Sequence, residues 1–135
     1  MSASIERLNP PALPDAGKIG YSQITVSTPG RIAFVSGQVA WLADGSGTPQ
    51  ALAEQTAVVI GNLKAALAAI QATQRDILQM RIYLTELTPE NQELVMEQLL
   101  GFLDGAMPSV TGLGVVALAA PDLKLEIEMT VQVPD

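Results

Sequence analysis

The sequence predicts an α+β fold, a β-sheet with two helices packed on one of its faces. Three observations predict it. Residues 123–133 (LKLEIEMTVQV) alternate apolar and polar side chains without a break, which is the period of a half-buried strand. Two separate segments, in residues 52–72 and after Thr88-Pro89, place apolar residues at helical spacing. The segments between them read as strands, in the order β-β-α-β-α-β-β. Two helices can cover only one face of a sheet, so the other face has to be accounted for.

The elements follow in chain order. Residues 1–20 are proline-containing with little periodicity and read as an extended lead-in. Residues 21–27 (YSQITVS) alternate and predict a strand, Thr28-Pro29-Gly30 a turn, and residues 31–39 (RIAFVSGQV) a second strand, so the pair is expected to form a hairpin. Residues 44–49 form a loop. In the helix over 52–72, Ile60, Leu63, Leu67 and Ile70 make the buried stripe, and Val58 falls off it. Residues 76–87 predict a strand with Leu78, Met80, Ile82 and Leu84 on one face and Gln79, Arg81 and Tyr83 on the other. Thr88 is an expected N-cap with Pro89 at the first helical position. Val95, Leu99, Phe102 and Leu103 give that helix its apolar stripe, and Gly105 its stop. A Gly- and Val-rich strand over 109–118, a turn over 119–122 and the alternating strand over 123–133 complete the chain.

Composition narrows the function. The 135 residues fit one domain, 1–135, with one core. Hydrophobic content is 48% and charged content 16%, too few charges to cover a whole surface, which favours an oligomer with a buried face. Net charge is −7, and the seven basic residues are scattered. Without a basic stripe no nucleic-acid partner is expected. The chain has no cysteine and no histidine, which removes thiol nucleophiles, Cys-based zinc sites and every Ser-His or Cys-His arrangement. Acid–base work falls to Asp, Glu, Tyr, Lys or water. The first residues lack a basic region followed by an apolar core, and no apolar run reaches the length of a membrane span. The expectation is a cytoplasmic protein with no membrane partner.

If the strand parities hold, the uncovered sheet face carries Arg81, Tyr83, Glu126 and Glu128. A bare, partly polar face in a charge-poor chain suggests self-association through the sheet. The alternative is a solvated outer face.

Several short motifs occur in a fixed order: Gly20-Tyr21-Ser22-Gln23, Phe34-Val35-Ser36-Gly37-Gln38, Gln55 with Asn62-Leu63-Lys64 on the long helix, and Pro108 followed by Leu125-Glu126-Ile127-Glu128. Each alone is weak, but the ordered set resembles the RidA/YjgF family of reactive intermediate deaminases from about Gly20 to the C-terminus. The resemblance implies a chorismate-mutase-like α+β fold with a mixed sheet. It implies a homotrimer whose sheets form a central barrel, with a small-molecule cleft between each pair of subunits. Members of the family hydrolyse 2-aminoacrylate and related 2-imino acids to 2-keto acids and ammonia, without metal or organic cofactor.

Residue by residue, the resemblance gives Tyr21 as the cleft tyrosine, Ser36 as the serine of the SGQ motif, and Glu126 as the carboxylate that positions or activates the attacking water. One position departs. Family members that deaminate carry an arginine two residues after the proline, in a Pro-x-Arg-Ser/Thr pattern, to pair with the substrate carboxylate. Here the segment reads Pro108-Ser109-Val110-Thr111, so Val110 holds the arginine's place, with Thr111 and Gly112 beside it. A guanidinium grips a carboxylate through two charge-assisted hydrogen bonds, and valine offers no donor. Moving a carboxylate into a partly desolvated cleft without a partner costs several kcal/mol. A substitute cation is conceivable at Arg81, whose other reading is an ion pair at a subunit contact.

Other readings stay open for the remaining residues. Tyr21 packs under a loop or closes the cleft. Ser36, with no histidine or adjacent lysine to activate it, is not a nucleophile, and either satisfies a backbone group or contacts a ligand. Glu128 is expected at a polar inter-subunit contact. Gly112 and Gly114 resemble a piece of a dinucleotide motif but lie within a strand, where glycine more often permits close approach. Two function classes result. One is an imine or enamine hydrolase with a non-standard substrate, in which Glu126 orients water, backbone N–H groups near 110–112 hold the ligand and Tyr21 closes over it. The other is a catalytically inactive trimer that binds or senses a small metabolite. A ribonuclease or translation-inhibitor role, attached to parts of the family, is disfavoured by the acidic charge and the absent histidines.

Overall fold

The structure is a computed structural model that describes residues 4–135. The first three residues of the expected lead-in lie outside that range. The chain runs β1 (Glu6–Leu8), β2 (Ile24–Val26), β3 (Ile32–Gln38), α1 (Leu52–Ala69), a 3₁₀ turn (Gln74–Asp76), β4 (Ile77–Leu84), α2 (Pro89–Leu103), β5 (Ser109–Gly114) and β6 (Leu125–Gln132). The fold is α+β with a mixed sheet, as the sequence predicts.

The main sheet has the order β3-β6-β4-β5. The alternating strand at the end of the chain is therefore an inner strand, antiparallel to β3 on one side and to β4 on the other. β4 and β5 are parallel and joined through α2, because a parallel pair needs a crossover that a tight turn cannot supply. Leu125, Ile127, Met129 and Val131 of β6 are buried with Met80, Ile82 and Leu84 of β4. They pack on Val59, Leu63 and Leu67 of α1 and on Val95, Leu99, Phe102 and Leu103 of α2. Both helices thus cover one face.

The cap of α2 is as expected. The Thr88 hydroxyl accepts from the Asn91 N–H, Pro89 opens the helix, and Asp104 ends it in the left-handed conformation just before Gly105. On α1 the buried stripe also includes Val59, and Gln55 is fully buried there. Gln55 donates to the carbonyls of Pro49 and Asp122, both at 2.8 Å, and accepts from the Lys124 N–H at 2.9 Å. Asn62, about two turns further on, donates to the carbonyls of Val39 and Trp41. These two amides fasten the loops entering α1 and β6, so their recurrence in the motif set has a structural cause.

One expectation is corrected. β2 and β3 do not form a hairpin. β2 pairs with β1, which lies in the segment read as an extended lead-in, and β3 pairs with β6. The Thr28–Gly30 bend exists, but Gln132 holds it by accepting from the Thr28 N–H and donating to the Arg31 carbonyl. Pairing β3 with β6 places Ala33 and Val35 on the core, a gain that a local hairpin would forgo.

Candidate functional site

The two ends of the motif set come together as two clusters on opposite faces of the sheet. The first is on the helix side. Gly20 has φ +106°, and a Cβ there would collide with Leu100. Only glycine suits that turn, in which the N–H groups of Ile19, Gly20 and Tyr21 all reach the Ala16 carbonyl. The turn delivers Tyr21 to the start of β5, where the Ser22 N–H bonds the Pro108 carbonyl at 3.0 Å and the Ser22 hydroxyl donates to the Met107 carbonyl at 2.7 Å.

Val110 sits opposite Met80 and therefore shares the core-side face, as does Gly112 opposite Ile82. Tyr21, Val110 and Gly112 then border one cavity of about 190 Å³, whose wall continues through Leu87, Gln92 and Met96. No charged side chain lines it. β5 is an edge strand, so alternate backbone N–H and C=O groups along it point away from β4.

The second cluster is on the open face. β3 and β6 shift register between Val35 and Gln38, so that Ser36 and Gly37 oppose Glu128 alone. This is a β-bulge, and bulges re-aim the side chains next to them. The Glu126 carboxylate lies over Gly37 so closely that a Cβ at position 37 would overlap it. Ser36 is exposed beside it.

Glu128 is engaged within its own protomer. The Tyr83 hydroxyl donates to it, and Arg81 approaches the same oxygen at 3.7 Å. The hydrogen bond to Glu128, followed by partial burial and the negative charges of Glu128 and Glu126, pushes the Tyr83 phenol above its usual range, while Arg81 opposes the shift. Thr111 stands opposite Arg81 on this open face. Arg81 and Val110 are thus on opposite sides of the sheet, and among the described residues no cation lines the Val110 cavity.

Among the predicted site residues, then, Tyr21, Val110 and Gly112 meet on one side, and Ser36, Glu126, Thr111 and Arg81 lie on the other. Gln92, Leu87, Met96 and Gly37 were not singled out from the sequence. Gln92 and Met96 are one helical turn apart, which places them on a common face, and a glycine inside a strand pattern signals a bulge or a close approach. A larger hollow of about 470 Å³ opens near Thr85, Glu86, Asn91 and Lys124, and none of the predicted site residues borders it. Among the described residues no helix is long and apolar enough to cross a membrane.

A family model described as endoribonuclease L-PSP matches residues 14–133. Among solved structures, the chain is 34% identical to YyfB of Yersinia pestis, a protein of unknown function of the conserved Rid family, over 96% of this chain and 99% of that one, with a TM-score of 0.89. It is 26% identical to YyfA of the same organism and family, over 84% and 87% of the two chains, with a TM-score of 0.70. It is 25% identical to Rv2704 of Mycobacterium tuberculosis, a member of the YjgF/YER057c/UK114 family, over 96% and 100%, with a TM-score of 0.65. No curated protein gives a significant sequence match. The motif order, the fold and these matches agree, and the chain belongs to the Rid/YjgF family, also called endoribonuclease L-PSP.

Proposed function

We propose that this chain forms a homotrimer with a central barrel, and that clefts between its subunits hydrolyse a small imine or enamine carrying no carboxylate. The observation that supports this reading is the cavity beside Tyr21, Val110 and Gly112, whose wall holds no charged side chain. The two clusters face away from each other in one protomer. Rotation-related neighbours can bring the Val110 cluster of one against the Glu126 cluster of the next.

The substrate class follows from desolvation. A carboxylate leaving water for this cavity would lose its hydration with no guanidinium to replace it, at a cost of several kcal/mol. An uncharged imine pays no such penalty. In the reaction, Glu126 accepts a proton as the water oxygen bonds to the C=N carbon, and passes it to the nitrogen that receives the C=N electron pair, giving the carbinolamine. Glu126 then accepts the carbinolamine hydroxyl proton as C=O forms and delivers it to the nitrogen, whose C–N bond breaks to release ammonia. An enamine enters the same route after tautomerising to its imine. Arg81 remains with Glu128 and is the next residue to change if a carboxylate substrate is turned over.

The test is ammonia release from paired imines that differ only in carrying a carboxylate or a carboxamide. The reading expects turnover of the neutral member and its loss in Glu126→Gln. Equal turnover of both members by the wild-type chain contradicts it. The uncharged wall also favours one alternative, a trimer that binds its ligand without chemistry. Thermal stabilisation by a ligand with no ammonia released identifies that case.

A further inference from the structure

We infer that Gln92 is the specificity-determining residue of the cleft, reading the polar group of a neutral carbonyl or carboxamide ligand. This rests on the proposed use of the Tyr21–Val110–Gly112 cavity as the ligand site. Among the described residues, Gln92 supplies the only polar side chain in the cavity wall apart from the Tyr21 hydroxyl. Val95 and Met96, three and four residues further along α2, line the same cavity, so all three share the helix face turned toward it.

Six other glutamines, Gln55 among them, spend their carboxamides on backbone groups of the same chain. Gln92 does not. Its backbone N–H is tied to the Thr88 carbonyl at 3.0 Å, while no hydrogen bond to its side chain forms among the described residues. A carboxamide offers donors and an acceptor together, which matches an amide or a carbonyl with an adjacent N–H.

The surroundings disfavour an anion at this place. The cavity holds no cation, and Glu90 and Glu93 flank Gln92 along the helix. The N–H groups of Asn91 and Gln92 at the start of α2, which would otherwise attract negative charge, are occupied by Thr88. A neutral donor satisfies a neutral acceptor but does not replace the hydration of a carboxylate.

The experiment measures binding of isobutyramide and isobutyrate, which share shape and differ in charge, to the full chain by NMR titration. Isobutyramide is expected to bind at least about tenfold more tightly. Gln92→Leu is expected to weaken isobutyramide about tenfold and leave isobutyrate unchanged, and Gln92→Lys to reverse the preference. Both substitutions lie on an exposed helix position and use good helix formers, so folding is retained. Val110→Trp and, separately, Met96→Trp fill the cavity and should abolish binding of both probes. If filling abolishes binding but Gln92→Leu leaves isobutyramide unaffected, or if isobutyrate binds the wild-type chain as well as isobutyramide does, the inference is overturned while the site assignment stands. If isobutyramide still binds the filled variants, the site assignment falls and the inference with it. If isobutyramide does not bind the wild-type chain, the inference is overturned.

Discussion

The Glu126 side chain lies over Gly37, across the bulge between β3 and β6, so closely that it leaves no room for a methyl group at position 37. Gly37 is needed here for closeness and not for an unusual backbone angle. Gly37→Ala is expected to displace Glu126 or shift β3, costing about 1–3 kcal/mol in urea unfolding. If Glu126 is the general base, the same variant loses roughly 100-fold in ammonia release, within the range of removing a base. A stable Gly37→Ala protein with unchanged turnover would separate Glu126 from the chemistry.

Tyr83 gives a prediction in pH. Its phenol is raised by the hydrogen bond to Glu128 and then by burial and the nearby carboxylates. A group whose folded pKa lies above its unfolded one adds stability that is fully present below the unfolded pKa, near pH 10 for tyrosine, and lost as pH rises through the folded value. Wild type should therefore lose stability above about pH 10 more steeply than Tyr83→Phe. In an absorbance titration, the phenol absent in Tyr83→Phe should ionise above the usual tyrosine range. A Tyr83 phenol that titrates at or below the ordinary value rules out this account of the open face.

Gln55 is fully buried and answers two carbonyls and one N–H. Gln55→Leu keeps the volume and the helix propensity but leaves those backbone groups without partners. The expected loss is about 2–4 kcal/mol, from roughly 1–3 kcal/mol per buried unsatisfied group with partial recovery by water. Chemical denaturation measures it. A loss under about 0.5 kcal/mol, the level of an ordinary surface change, would mean that the amide is not what holds the 49 and 122–124 segments.

Phe34 bears on assembly. It projects from β3 on the open face and is 82% exposed in the isolated chain. A large aromatic left so exposed on the sheet face that also carries Arg81 and Tyr83 is explained if a neighbouring subunit covers it. Light scattering of the wild-type chain is expected to give three times 14.2 kDa, and Phe34→Asp to lower that mass at micromolar concentration. A monomer mass for wild type contradicts the proposed trimer.

Where the fold depends on local pattern, the sequence was readable. The alternation over 123–133 marks the inner strand β6, Thr88 and Pro89 mark the start of α2, and the parity of β4 separates Met80, Ile82 and Leu84 from Arg81 and Tyr83. The hairpin failed because the bend at Thr28–Gly30 is a local signal, whereas the partners of β2 and β3 are remote in sequence. β1 spans only three residues, too few for a periodicity to register, and it forms because β2 is there to receive it. The candidate site divides in the same way. Tyr21, Val110 and Glu126 came from an ordered motif set, but only the register of β4 against β5 puts Val110 on the face away from Arg81. Gln92 was hidden because a glutamine in a helix's first turn looks like solvated surface until the cavity beside it is known.

The most direct test of the central claim is ammonia release from a 2-aminoacrylate-derived imine by wild type and by Val110→Arg, side by side. The account predicts a wild type with little or no activity on this carboxylate substrate and a variant that gains it, since a guanidinium at position 110 restores the missing partner to a scaffold that already holds Glu126 and Tyr21. A wild type that turns the imine over as well as the variant would contradict the claim that Val110 excludes carboxylates from the cleft.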